Sequence, residues 1–309
     1  VNDGSTDDTP VKAEELARKY NNITILNQEN QGLYCARING AFEAKGQYVT
    51  FVDADDYIET GFYKKAITYI EQQDAGILEF GIKKIHNGHT VYIFKPERRL
   101  ETGLDSAKRL LSKNGSSCSN CNKIYRRDLF DGVDFSDRIR CYEEDKLINI
   151  KLMHHATKVV AMEEVGYVYD TRDESITTSS FTKKSLDVMY TVDAIYKYIK
   201  EHMPELSEVA GIDYCAHLAF WYITLPGMDI VPSEKKEYKE KLVNQFRNIC
   251  REEDLTLRNM RTGSKKRRWM LSLFYLSPQL ASGVYSIAQF FQRGEIDKDA
   301  ENENEQFRH

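Results

Sequence analysis

Cysteine is scarce in this chain, with six in 309 residues at positions 35, 118, 121, 141, 215 and 250. They are spread through a chain too long and too apolar to need disulfide stapling, and this usage fits a reducing compartment. Cys118-Ser-Asn-Cys121 has no second Cys pair at usable spacing and no spaced His pair beside it, so structural zinc is not expected. The adjacent His154 and His155 sit in an apolar helical pattern and are assigned no ligand role. No excess of positive charge exists either: 43 basic against 48 acidic residues give a net charge of −5, which argues against nucleic acid as a partner. No charged-then-apolar leader is visible before the first motif, and no internal repeat is apparent. No uninterrupted apolar run is long enough to span a bilayer. The best candidate, Trp269 to Phe291, is broken by Ser272, Ser277, Pro278, Gln279, Ser282, Ser286 and Gln289. A glycine-rich, basic loop for a nucleoside triphosphate is also missing near residue 1, which disfavours a nucleotidyltransferase.

What is present is ordinary globular composition, 41% hydrophobic and 29% charged, so most of the chain can bury a core. The first 56 residues alternate helix and strand patterns. Gly4 with Ser, Thr and Asp leads into Pro10 at a first helical turn, and Ile23, Ile25 and Leu26 suggest a short strand. A second helix follows over 34–45, and Tyr48 to Val52 is a β-branched and aromatic run. This alternation predicts an α/β layer with a mostly parallel sheet flanked by helices. Further on, helices are expected over 61–73, 104–113 and 143–155, and strands over 75–85, 90–94, 158–161 and 166–169. Asn87-Gly88 should close a tight hairpin between two of these strands. From Lys183 to Arg251 the pattern is helical, with Leu186, Met189, Val192, Ile195 and Ile199 on one stripe. The expected organisation is a domain over 1–180, a helical region over 181–262, a basic and amphipathic segment over 263–293, and a disordered acidic tail over 294–309. In the third of these, Lys265-Lys-Arg-Arg268 and two short helices broken at Pro278 suggest an interfacial membrane contact; a helix pair packed inside the domain is the alternative.

Asp53-Ala-Asp-Asp56 leaves a predicted strand at its carboxyl end, where open α/β sheets bind ligands. Alternating carboxylates there can hold Mg²⁺ or Mn²⁺, which prefer hard oxygen ligands and often share a diphosphate, although such a cluster on its own is more often a solvated loop. Asn2-Asp-Gly-Ser5 on its own reads as a capped strand-to-helix turn, and Glu143-Glu-Asp145 as an acidic helix start that suits the helix dipole.

Taken in order, the motifs carry more. Asn2-Asp-Gly-Ser-Thr-Asp-Asp-Thr9, Asn27-Gln-Glu-Asn-Gln-Gly32, Ala36-Arg37 and Ala44 to Asp56 resemble the nucleotide-sugar half of the family 2 glycosyltransferases, whose fold is called GT-A. The resemblance continues through Cys121-Asn-Lys-Ile-Tyr-Arg-Arg-Asp-Leu-Phe130, Tyr142-Glu-Glu-Asp-Lys-Leu147 and Tyr167-Val-Tyr-Asp-Thr-Arg-Asp-Glu-Ser-Ile-Thr177, and so spans residues 1 to about 180. It implies that Asp3 contacts the donor's base, that Arg37 lies near the nucleotide, that Asp53 meets the ribose, and that Asp55 binds the metal on the donor diphosphate. Asp56 could serve either the donor or the metal, and Arg172 and Ser175 resemble a loop near the phosphates. Asp145 matches the general base of this inverting family. The Asn that often follows the helix arginine is Ile38 here. The family's opening strand, loop and helix are also not present before Asn2, so the chain is expected to be an amino-terminal truncation.

The resemblance implies a metal-dependent, inverting transfer of a sugar from a nucleoside diphosphate sugar, UDP-linked by expectation, to a hydroxyl on a glycan or lipid-linked acceptor. Cell-surface polysaccharide synthesis at the cytoplasmic membrane face would suit that chemistry. The competing reading is a non-catalytic, membrane-associated subunit that binds nucleotide or a partner without turnover; Ile38 and the missing front motivate it, and the four carboxylates Asp3, Asp53, Asp55 and Asp145 argue against it.

Overall fold

The computed structural model describes residues 1–137, 139–140, 142–171, 183–260 and 262–284. Arg172, Ser175, the end of the amphipathic segment and the acidic tail lie outside the described residues. The chain forms two compact units, one of Val1–Ser180 with Asp187–Ser207 and the other of Phe181–Leu186 with Glu208–His309.

The first unit begins with β1 (Asn2–Asp3), α1 (Thr9–Lys19) and β2 (Asn27–Gln28), and β1 pairs in parallel with β2 as a separate two-stranded sheet. Pro10 sits in the first turn of α1, where its missing N–H costs nothing. The strand expected around Ile23 to Leu26 is instead the next two residues. Ile23 is exposed and its N–H turns back to the Tyr20 carbonyl at 3.1 Å, and Leu26 accepts the Asn2 N–H at 2.8 Å.

Next come α2 (Leu33–Glu43), β3 (Tyr48–Thr50), β4 (Tyr57–Ile58), α3 (Phe62–Gln73), β5 (Ile77–His86), β6 (His89–Phe94), β7 (Arg99–Glu101) and α4 (Gly103–Leu111). They are followed by β8 (Lys123–Arg126), α5 (Glu144–His155), β9 (Val159–Thr171) and α6 (Val188–His202). The main sheet runs β3-β8-β5-β9-β4, with β6 added to β5 and β7 to β9. It is mixed rather than mostly parallel: β5 and β9 are parallel, and the other pairings of this sheet are antiparallel. The reason is local. A parallel pair needs a long crossover, which α4 and α5 supply between β5 and β9, whereas β6 returns directly through a hairpin. Asn87 and Gly88 close that hairpin with φ of 49° and 78°, the left-handed backbone such a turn demands. The two strands expected over 158–161 and 166–169 are one continuous β9, whose register against β5 shifts around Gly81.

Phe62, Ala66 and Ile70 of α3 pack on Leu78 and Phe80 of β5, Ile124 of β8, and Val160, Met162 and Tyr167 of β9. On α5, every residue from Lys146 to Met153 is buried, as α2, α4 and α6 pack around it. A helix enclosed on all sides is held firmly, and its first turn carries Glu144 and Asp145.

The second unit holds α7 (Ser207–Thr224), α8 (Pro232–Glu252), α9 (Lys265–Leu276) and a further helical run over 278–284 that begins at Pro278. Phe274 of α9 meets Tyr222 and Phe246 at ring-centroid distances of 5.1 and 4.8 Å, and buried Arg267 donates to Asp213 at 3.0 Å. One face of α9 is therefore core. Trp269, 70% exposed, and Leu276, 65% exposed, lie on the other. Among the described residues no helix is long and apolar enough to cross a membrane.

The α4–α5 packing rests on a missing side chain. A Cβ on Gly103 would lie 1.9 Å from the Met153 carbonyl oxygen and 2.4 Å from that of Ala156. Gly103→Ala is expected to destabilise the protein by about 1–3 kcal/mol through overpacking, read as a lower urea midpoint with little change in slope.

Candidate functional site

The site gathers where β3 ends and α5 begins. Its centre is Arg37, on the buried face of α2 and only 7% exposed. The guanidinium Nη2 donates to Asp53 Oδ1 at 2.9 Å. Nη1 donates to Asp145 Oδ1 and lies 3.4 Å from Glu144 Oε1. One cation thus joins carboxylates from two separate stretches of chain. Burial works against the charge on Arg37, but Asp145, Asp53 and Glu144 outweigh it and hold the guanidinium more firmly protonated than usual.

The chain enters α5 through Glu143, a non-glycine residue in the left-handed region with φ of 69°. Glu144 and Asp145 follow in the first helical turn, where the helix dipole favours carboxylates. Even so, burial pushes Glu144 up to about 7, with neighbouring Asp145 adding to the shift. Asp145 is also raised, first by burial, while Arg37 and a hydrogen bond from the Asn120 N–H act in the opposite direction. One guanidinium faces three carboxylates, and burial together with the charge on Asp145 favours the protonated form of Glu144.

The three carboxylates after β3 have different surroundings. Asp53 faces Arg37, and its backbone N–H donates to the Tyr167 hydroxyl at 3.1 Å. Asp55 is exposed and takes part in none of the hydrogen bonds found among the described residues. Asp56 turns back to β9: its Oδ2 accepts from the Tyr167 hydroxyl at 2.6 Å and its Oδ1 from the Asp170 N–H at 3.0 Å. Burial raises Asp56 to about 6 despite those bonds. Asp56 therefore pegs the loop to the sheet, which leaves Asp55 as the carboxylate presented to solvent.

Asp3 accepts from Gln28 Nε2 at 2.7 Å, the Gln31 N–H at 2.8 Å and the Gly32 N–H at 2.8 Å. Partial burial opposes its ionisation, but these donors prevail and hold it below the ordinary carboxylate range. Within the chain, Asp3 braces the loop into α2. Arg37, expected near the nucleotide, lies among the carboxylates Asp53, Glu144 and Asp145.

The sequence reading assigned no role to Asn120, Asn149, Tyr125 or Tyr167, which complete the site. Asn120 donates to both Asp145 oxygens, and Tyr167 joins Asp53 to Asp56. The available signal was place in the motifs: Tyr125 belongs to Cys121-Asn-Lys-Ile-Tyr125 and Tyr167 opens Tyr167-Val-Tyr-Asp170.

For a divalent cation the fit is partial. Among the described residues no group of three or more His, Cys, Asp or Glu side chains is arranged to hold a metal. A solvent-facing Asp55 supplies one hard oxygen ligand, and a Mg²⁺-type ion that keeps waters and shares substrate phosphates needs one or two protein carboxylates.

Residues 1–133 match the family model described as glycosyl transferase family 2, and the fold is GT-A. Among curated relatives, an uncharacterized glycosyltransferase EpsJ of Bacillus subtilis is 28% identical over 186 residues, covering 57% of this chain and 53% of that protein. The poly(ribitol-phosphate) beta-N-acetylglucosaminyltransferase TarS of Staphylococcus aureus is 26% identical over 183 residues, covering 58% of this chain and 31% of that protein. The chain spans about half the length of EpsJ and less of TarS. In structure, TarS 1–349 superposes with a TM-score of 0.65 at 19% identity, over 93% of this chain and 80% of that one. Its complex with UDP gives 0.59 at 19% identity, over 91% and 76%. At such identity the structural likeness establishes the fold.

The Glu144 environment predicts a pH effect on stability. Folding raises this carboxyl from 4.5 to about 7, so the folded state binds more protons across that window and its stability falls as pH rises through it. Glu144→Gln should lack that slope. Its stability relative to the parent is expected to improve between pH 5 and pH 8 in urea titrations; parallel curves for the two proteins would contradict a raised Glu144.

Proposed function

We propose that this protein is an inverting glycosyltransferase that moves a sugar from a nucleoside diphosphate donor, UDP-linked, to a hydroxyl of a glycan or lipid-linked acceptor. The observation that carries the reading is the Arg37 bridge: it puts the carboxylates after β3 and the carboxylate opening α5 into one site. A transferase needs both halves together, one for the departing diphosphate and one for the attacking hydroxyl. The match of residues 1–133 to a glycosyltransferase family and the TarS structure with UDP support the choice of donor.

In this reading Asp145 accepts the proton of the acceptor hydroxyl as its oxygen attacks the anomeric carbon from the face opposite the nucleotide. A positioned base of this kind is worth about 10²–10⁴ in rate. Arg37 keeps Asp145 in place and favours its ionised form. Asp53 stands beside Arg37 where a ribose hydroxyl could be bound, and Asp3, braced under the Gln31 and Gly32 amides, stays ionised to accept from the base. Asp55 would hold Mg²⁺ or Mn²⁺, which supplies charge neutralisation on the diphosphate.

Peripheral attachment to the cytoplasmic membrane face belongs to the same reading. Exposed Trp269 and Leu276, with Leu280 at 51%, stand beside Lys265, Lys266 and Arg268. Apolar side chains next to basic ones suit an anionic lipid surface.

Two measurements test these assignments. UDP titrated calorimetrically with Mn²⁺ should bind, and Asp55→Ala should abolish the metal-dependent part. Asp145→Asn should keep UDP binding and lose about 10²–10⁴ in UDP release from UDP-N-acetylglucosamine, UDP-glucose or UDP-galactose; no UDP binding by the folded protein would remove the donor assignment. For the membrane contact, Trp269→Ala combined with Leu276→Ser should reduce flotation with phosphatidylglycerol vesicles, and equal flotation would dismiss it.

A further inference from the structure

Asn120 lies in the loop before β8 and is completely buried at 0% exposure. Both of its nitrogens face the same carboxylate: the backbone N–H donates to Asp145 Oδ2 at 3.1 Å, and the side-chain Nδ2 donates to Asp145 Oδ1 at 3.0 Å. The amide cannot sit the other way round. Its Oδ1 accepts from Asn149 Nδ2 at 2.7 Å and lies 3.0 Å from the Tyr125 hydroxyl, so the NH₂ group must face Asp145. Asn149, one turn along α5, also donates to the Cys118 carbonyl at 2.8 Å and the Asp145 carbonyl at 2.9 Å, which fastens the loop to the helix.

The loop is itself caged from the sheet side. Buried Lys123 donates to the carbonyls of Ser117 and Ser119 at 2.7 and 2.8 Å, and Glu79 Oε1 accepts the Ser117 N–H at 2.7 Å. Arg99 pairs with Glu79 in turn. Buried charges are costly to keep, and here they are spent on the backbone of the few residues that lead into Asn120.

The consequence falls on Asp145. Its Oδ1 accepts from Arg37 and from the Asn120 side chain, whereas among the described residues its Oδ2 accepts only the Asn120 N–H. A carboxylate oxygen has two acceptor directions, so Oδ2 keeps one of them open. We propose that Asn120 is a positioning residue for sugar transfer, gripping both oxygens of Asp145 so that Oδ2 presents its open side to the acceptor hydroxyl. This rests on the reading of Asp145 as the base.

The titratable and charged groups facing Asp145 include Arg37 of α2, Asp53 after β3, neighbouring Glu144, Cys118 and Cys121 of the loop before β8, and Lys123 and Tyr125 of β8. None of them is itself replaced when Asn120 is, so a shifted pH profile reports the lost side-chain donor. A substitution keeps the backbone N–H and removes the Nδ2 donor to Oδ1; a donor to a carboxylate favours its ionised form, so this loss should move the acid limb of turnover to higher pH.

The test compares Asn120→Ala, Asn120→Asp and Tyr125→Phe with the parent and with Asp145→Asn, using UDP release from whichever of the three UDP-sugars supports turnover. For Asn120→Ala, kcat should fall about 10- to 100-fold, the worth of a hydrogen bond to a charged group, with UDP affinity unchanged and the acid limb moved up. Asn120→Asp should move the limb further, since it sets a second negative charge against the first. Tyr125→Phe keeps the ring in the core and should shift the limb the same way by less; it decides the matter if the Asn120 variants do not fold. Folded Asn120 variants with the parent's kcat and acid limb, beside an inactive Asp145→Asn, would overturn the positioning role alone. Full turnover by Asp145→Asn would overturn the reading of Asp145 and the positioning role with it.

Discussion

The site depends on one guanidinium. Arg37 is buried where α2 meets the end of β3 and the start of α5, and it binds Asp53 and Asp145 with Glu144 close by. A delocalised planar cation with several donors can serve carboxylates from different directions, which a lysine ammonium does less well. Without it, three acidic groups would face one another across a largely desolvated gap. The neighbouring secondary structure is arranged around satisfying it: β3 stops at Thr50 so that Asp53 can turn back, and α5 starts after a left-handed Glu143 so that Asp145 points inward.

A site of this kind needs rigid walls on both sides. On one side α5 is buried all round and locked to α4 by the absence of a side chain at Gly103. On the other, Tyr167 of β9 accepts the Asp53 N–H and donates to Asp56, so one phenol fixes both ends of the acidic turn. The long parallel pairing of β5 with β9 is what brings Tyr167 to that position. Placement of the carboxylates is thus a product of sheet topology and not only of local sequence.

Much of this was legible beforehand because it is local. Helix spans in the first half follow from periodicity and from Gly and Pro punctuation, and the Asn87-Gly88 hairpin follows from turn chemistry alone. The motif order pointed to the family and gathered Arg37, Asp53 and Asp145, which the structure brings together. What sequence could not give is partnership at long range. That β9 is a single bulged strand, that the sheet is mixed, and that Asn120 faces Asp145 across 25 positions are facts of pairing between distant segments. Asp56 shows the limit well: its spacing from Asp53 and Asp55 is that of a ligand cluster, and only the position of Tyr167 and Asp170 makes it a peg for the loop.

That division among the three carboxylates also explains why an acidic turn can be kept in a stable fold. Like charges a few ångströms apart repel, and burial makes the repulsion worse. Asp53 is offset by Arg37, and Asp56, raised to about 6, sheds part of its charge near neutral pH while its bonds to β9 hold its geometry. Asp55 meets neither device and remains in water, where its charge is screened and cheap. The fold thus tolerates the cluster by using two of its members structurally. The third is left with its oxygens unclaimed by the described residues, and its exposure is what keeps its charge from adding to the burden the other two already carry.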